Sequence, residues 1–265
     1  MNNNPIGIFD SGVGGLTVVK EVIKTLPNES LIYVGDTARV PYGTRGKETI
    51  TEFALEIVRF LLKQNVKMIV VACNTISATC LDVIQENSPV PVIGVIIPAS
   101  KEAVNSTKLK TIGVIGTPAT INSEAYKKEI SRLRNNVEVV QQACPLLVPL
   151  IEEGMINKEA TKIIVKDYLE NLKNTEMDTL ILGCTHYPIL RETIRDVVGK
   201  EINLIDSAKP TALELKELLE SKDLRSNQEV GEYTFYVTDA PERAQKIAEV
   251  LFEGEFPGEL KLTSL

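Results

Sequence analysis

Short runs of aliphatic and β-branched residues alternate with amphipathic stretches along almost the whole 265-residue chain, and this constrains the fold more than any other feature. The runs PIGIF (5–9), LIYVG (31–35), MIVVA (68–72), PVIGV (91–95), TIGVI (111–115), VEVVQ (137–141), TLILG (179–183), INLI (202–205) and YTFYV (233–237) read as strands. Helical periodicity fills 14–25, 47–63, 76–86, 118–134, 158–173, 188–198, 207–221 and 240–251. A strand that is apolar along its length leaves no face for water, so both faces must be covered. Strands of that kind separated by helices pair in parallel, as successive strand–helix–strand units. An α/β fold of mainly parallel sheets flanked by helices is therefore expected. Ligands of such sheets sit outside the carboxyl ends of the strands.

The alternation also repeats. IGIFDSG at 6–12 is answered by IGVIGTP at 112–118, Val40-Pro41 by Val148-Pro149, Lys47-Glu48 by Lys158-Glu159, and IVVACNTIS at 69–77 by LILGCTHYP at 180–188. Both halves run strand, strand, Val-Pro loop, helix, strand, cysteine. Unrelated strand–helix units share composition, but four landmarks in one order with slowly drifting spacing favour a duplication. Two pseudo-symmetric α/β lobes with a cleft between them are expected.

Composition excludes several classes. The chain sits near the size at which one core gives way to two, with 43% hydrophobic and 25% charged residues. No apolar run is long enough to cross a membrane. The stretch MNNNPIGIFDSG lacks the basic and apolar regions of a secretory leader, so a cytoplasmic location is expected. A net charge of −7 is spread through the helices, and no basic stripe interleaved with aromatics suggests a nucleic-acid partner. Cys73, Cys80, Cys144 and Cys184 form no CxxC pair, and one histidine beside scattered cysteines makes a poor metal set.

Cys73 and Cys184 each follow an apolar strand and precede a helix. Unpaired amides and the helix dipole at that position favour a thiolate. Thr75 and Thr185 stand where they would cap the following helix or offer a hydroxyl to a ligand. A free cysteine is ordinarily a small buried hydrophobe, which suffices for Cys80, read as lying within a helix, and Cys144. The repeated pair asks for more. FDSGVGGLT at 9–17 lacks the lysine of a phosphate loop and does not fit GxGxxG. Its glycines instead let backbone amides approach an anion, with Asp10 pointing into the site. The loop DTARVPYGTRG at 36–46 brings Tyr42 and Gly43 to the same sheet edge. His186, the one histidine, becomes a proton partner two residues from a candidate thiolate. Glu152 by itself reads as a helix-surface acid.

A cysteine phosphate loop needs a closing arginine, yet Thr79 and Leu190 stand at that position and Arg191 is one place too far. A cysteine protease or amidase leaves the second thiol unexplained. Inverting a stereocentre uses both: one group removes a proton from one face, another delivers a proton to the opposite face, and the roles swap for the other enantiomer.

At these residues the chain resembles the cofactor-independent aspartate/glutamate racemase family. GIFDSGVGGLTV, GDTARVPYG, ACNT, CPLLVPLIEEG and LGCTHYP carry the likeness, which runs from residue 6 to about 210. The resemblance implies Cys73 and Cys184 as proton-transfer bases, Asp10 beside the former, and His186 with Glu152 beside the latter. It implies substrate contacts at Asp10, Ser11, Tyr42, Gly43, Asn74, Thr75, Thr117, Thr120, Thr185 and His186. It further implies a first lobe of residues 1–97 and 208–265, a second of 98–207, a homodimer, and D-glutamate supply for peptidoglycan. No cofactor or metal is expected. Glutamate is favoured as substrate because aspartate-type members tend to carry Glu at the His186 position. Aspartate racemisation, or amino-acid binding without catalysis, remains the alternative.

Overall fold

The computed structural model describes residues 1–265, and its strands pair as the unbroken apolar runs require, entirely in parallel. The first part of the chain forms β1 (Ile6–Asp10), α1 (Leu16–Thr25), β2 (Leu31–Gly35), α2 (Lys47–Lys63), β3 (Met68–Val71), α3 (Asn74–Glu86), β4 (Val92–Gly94) and α4 (Ile96–Ser106). Then come β5 (Thr111–Gly116), α5 (Pro118–Asn122), α6 (Ala125–Leu133), β6 (Glu138–Ala143), α7 (Leu147–Glu152), α8 (Glu159–Lys173), β7 (Thr179–Gly183), α9 (Arg191–Val198) and β8 (Asn203–Asp206). The last elements are α10 (Ala208–Ser221), β9 (Tyr233–Val237), α11 (Pro241–Leu251) and β10 (Leu260–Leu262).

One sheet has the order β10-β9-β2-β1-β3-β4 and the other β6-β5-β7-β8. The path β2-β1-β3-β4 and the path β6-β5-β7-β8 are the same path traced twice, as the internal repeat leads one to expect. The chain then returns to the first sheet, where β9 pairs with β2, Leu31 opposite Tyr233, and β10 with β9.

Side chains alternate between sheet faces with period two. In the first sheet Ile6, Ile8, Met68 and Val70 pack under α1, α10 and α11, while Phe9, Ile69 and Val71 face α2 and α3. In the second, Leu180 and Leu182 face α7, α8 and α9, while Ile112, Val114 and Ile181 face α4 and α6. Each aliphatic side chain so buried contributes about 1.5–3 kcal/mol. Helices on both faces leave only the carboxyl edges free for chemistry. Asp10, Cys73, Thr117 and Cys184 all stand at those edges.

Local sequence signals differ from the structure at several places. The helix read over 118–134 is two helices, because Glu124 adopts a left-handed conformation with φ 56° between α5 and α6. The segment 188–198 opens as a 3-10 turn, Tyr187–Leu190, before α9 begins. Helices α4 and α7 and strand β10 have no counterpart in the periodicity reading. Val148-Pro149 lies in α7 and not in a loop, unlike its match Val40-Pro41. Cys80 lies within α3, as expected, but at a kink with φ −149°. No helix is long and apolar enough to cross a membrane.

Candidate active site

The site is built from two strand ends that face one another. At the end of β1, Asp10 is fully buried and its Oδ2 accepts the Gly15 N–H at 2.6 Å, folding the glycine loop back over the strand. Tyr33 braces the same loop by donating to the Gly12 carbonyl at 2.8 Å. Gly14 must be glycine for a spatial reason: a Cβ there would lie 2.4 Å from His186 Nδ1 and 2.5 Å from Thr185 Oγ1. The first sheet's loop is thus pressed against the turn that follows β7.

Cys73 immediately precedes α3, and its Sγ lies 3.3 Å from Ser11 Oγ. Ser11 Oγ in turn donates to Asp10 Oδ1 at 3.5 Å. Burial and then the Asp10 charge push the Cys73 thiol well above the ordinary thiol range, outweighing the pull of Ser11 and the Ile76 N–H. Burial and the Asp10 carboxylate thus oppose the helix N-terminus, which by itself favours a thiolate. Burial also raises the Asp10 carboxyl, against the charge of His186 and the Gly15 hydrogen bond.

On the other side, Cys184 follows β7 and its Sγ lies 3.9 Å from His186 Nδ1. His186 Nε2 pairs with Glu152 Oε1 at 2.8 Å. Burial alone would lower His186, but Cys184 and Glu152 hold it well above the usual histidine range. Burial likewise opposes ionisation of Glu152, yet the hydrogen bond and charge of His186 pull it below the usual carboxylate range. Glu152 is therefore no free surface acid; it ends α7 with its carboxylate on the imidazole.

Ser11, Tyr42, Gly43, Cys73, Asn74, Thr75, Thr117, Cys184, Thr185 and His186 line one narrow cavity of about 30 Å³, so both cysteines share its wall. Asp10, Thr120 and Glu152 stand behind its wall: Asp10 beneath Ser11, Thr120 beneath Thr117, Glu152 behind His186. A wider cavity of about 310 Å³, walled by Val13, Glu152 and Arg243, adjoins it across Val40, Pro41 and Val148. Neither Thr75 nor Thr185 caps a helix; Thr75 Oγ1 instead joins Thr117 Oγ1 at 2.9 Å, and Thr117 continues to Thr120 at 3.0 Å. Only Thr117 caps, accepting the Thr120 N–H. The Tyr42 hydroxyl is turned away to Asp36, which Arg39 and Thr238 also hold. Sequence reasoning missed Tyr126 and Ser207, whose hydroxyls grip the Asn74 amide. Ser207 directly follows β8 and shared the strand-end signal; Tyr126 lay inside an apparently continuous helix and gave none. No group of three or more His, Cys, Asp and Glu side chains could hold a metal ion.

Twin parallel sheets, each with a cysteine after its third-formed strand, and both cysteines lining one slot, define a duplicated α/β protein with its site at the strand ends. The chain belongs to the Asp/Glu/Hydantoin racemase family, whose pattern it matches over residues 6–215. It is 50% identical over 237 residues to a glutamate racemase of Geobacter metallireducens, covering 89% of this chain and 88% of that one. A glutamate racemase isoform from Bacillus anthracis superimposes with a TM-score of 0.96 at 39% identity, covering 100% of this chain and 99% of the other. The Francisella tularensis glutamate racemase, solved with D-glutamate, gives 0.92 at 43% identity, with 100% and 98% coverage.

Proposed function

We propose that this protein interconverts L- and D-glutamate by passing the α-proton between Cys73 and Cys184. The observation that carries the reading is two cysteines lining one cavity at matching positions of a duplicated fold. The names of the relatives, and the D-glutamate held by one of them, support glutamate over aspartate. Residues 1–97 with 208–265, and 98–207, form the lobes that enclose the substrate.

The substrate carboxylates meet the hydroxyls of Ser11, Thr75, Thr117 and Thr185 and the amides at the start of α3. In one direction a Cys73 thiolate removes the α-proton and Cys184, as a thiol, protonates the opposite face. In the other direction the roles exchange. Asp10, linked to Cys73 through Ser11, is placed to take the thiol proton and return it. On the far side, the protonated imidazole of His186 donates to Glu152 and directs its other nitrogen at the Cys184 sulfur. Donors preorganised around the α-carboxylate, in a slot that excludes water, stabilise the carbanionic intermediate. A slot of about 30 Å³ has room for about one water, so the lobes part to admit an amino acid. The family resemblance extends the proposal to a cytoplasmic homodimer that supplies D-glutamate for peptidoglycan.

Circular dichroism of L-glutamate and L-aspartate incubated with the purified protein tests this directly. Glutamate is expected to lose its optical signal. Cys73→Ala and Cys184→Ala are each expected to slow the reaction by at least about 10³-fold with an unchanged melting temperature. Near-normal turnover in either variant would rule the two-base scheme out.

A further inference from the structure

Asn74 opens α3 one residue after Cys73 and forms part of the cavity wall. Its side-chain nitrogen donates to the Tyr126 hydroxyl at 2.7 Å and to the Ser207 hydroxyl at 2.9 Å. Those two hydroxyls lie 3.4 Å apart and complete a buried triangle. Both amide N–H groups are thereby used. The amide oxygen Oδ1 is buried and has no partner. A buried acceptor without a donor is destabilising, so this oxygen either awaits a donor or is a defect at the centre of the site.

The missing donor has a defined chemistry. The cavity's other polar groups are mostly hydroxyls and helix-terminal amides, which suit carboxylates. An amino acid also carries an ammonium, which only donates. We propose that Tyr126 and Ser207 are positioning residues that lock the Asn74 amide with its oxygen toward the cleft, where it accepts a hydrogen bond from the substrate ammonium. The proposal rests on the amino-acid racemase reading and adds to it how the amino group is recognised. Amides can rotate by half a turn at little steric cost, since oxygen and nitrogen are nearly the same size. A rotated Asn74 would aim N–H donors at the ammonium and repel it. Burial raises the Tyr126 hydroxyl above the ordinary tyrosine range and keeps it protonated. It can accept from Asn74 while giving its own proton to Ser207. The three groups also come from different places in the fold: Asn74 from the first sheet's α3, Tyr126 from α6, and Ser207 from the start of α10. The lock is thus assembled only when these elements are docked.

The test compares two ligands in Tyr126→Phe and Ser207→Ala: glutamate, and glutarate, which has the same two carboxylates but no amino group. Calorimetric titration of the unmodified protein is expected to show tighter binding of glutamate. In each variant glutamate is expected to weaken by about ten- to a hundredfold, the worth of a hydrogen bond to a charged group. Glutarate is expected to stay within about twofold in the same titrations, since its contacts do not involve the ammonium. A general loosening of the site would weaken both ligands equally, and unchanged glutamate binding would show the lock to be idle; either result overturns the proposal. Ser207→Ala removes a single oxygen and keeps the test valid should Tyr126→Phe fail to fold. Failure of the unmodified protein to bind glutamate would overturn the racemase reading itself. Normal glutamate binding with unchanged discrimination in both variants would overturn only the lock.

Discussion

At the scale of single residues, the His186–Glu152 pair is the best-defined electrostatic feature. Side-chain exposures of 3% and 14% mean that water screens it weakly. Glu152 has a folded pKa below its usual 4.5, so its contribution to stability is present above that value and is lost as pH falls through the depressed one. His186 has a folded pKa above its usual 6.5, so its contribution is complete below 6.5 and is lost as pH rises through the elevated one. Glu152→Gln keeps an acceptor but removes the charge. It is expected to destabilise the protein by about 1–3 kcal/mol near neutrality. That difference should shrink as pH falls below the usual carboxylate range and again as it rises beyond the usual histidine range, following both titrations. Urea denaturation across that range checks it, and a difference independent of pH would contradict the pairing. The residues legible in sequence were those whose chemistry is rare, namely two matched cysteines and a lone histidine. Tyr126 and Ser207 were not, because their role comes from contacts across the fold and not from their neighbours in the chain.

Among the elements, the loop between β1 and α1 is held from both halves of the molecule, by Asp10 and Tyr33 beside it and by His186 and Thr185 opposite. Gly14→Ala would drive a methyl group into His186 and Thr185, with a cost of about 1–3 kcal/mol for overpacking. It would also displace the imidazole from the Cys184 sulfur. A shift of about 1 Å there is expected to lower turnover by about a hundredfold. Gly46→Ala is the control, since its Cβ would meet nothing nearer than Glu48 Oε2 at 3.7 Å. Melting curves and turnover of the two variants check the contrast; equal activity would contradict it. Strands such as β1, β3, β5 and β7 were legible because a strand buried on both faces leaves an unbroken apolar run. The break at Glu124 was not, because a left-handed glutamate has no composition signal. Nor was α4, whose IIPASKEAVNS follows directly on a strand and places a proline in the first turn. The short β10 is stabilised by pairing with β9 and not by its own sequence.

For the whole molecule, the two sheets are equal in design but not in extent. The first depends on residues far along the chain: β9 supplies the edge ladder to β2, and Ala212, Leu215 and Leu219 of α10 fill the core under β1. Removing residues 222–265 would leave β2 as an open apolar edge. The truncated chain is expected to aggregate or lose cooperative melting, and a soluble, cooperatively folding product would contradict this. The internal repeat revealed the doubled path but not this return, since β9 and α11 have no partner in the second half. The central claim is that the two sulfurs act on opposite faces of one bound amino acid. Its most direct test is racemisation of L-glutamate in heavy water, with both enantiomers recovered at low conversion and examined by mass spectrometry. Two opposed bases predict deuterium at the α-carbon of the D-glutamate formed and ordinary hydrogen in the L-glutamate left behind. Product that keeps the substrate's own hydrogen, or deuterium appearing equally in both enantiomers from the start, would contradict it.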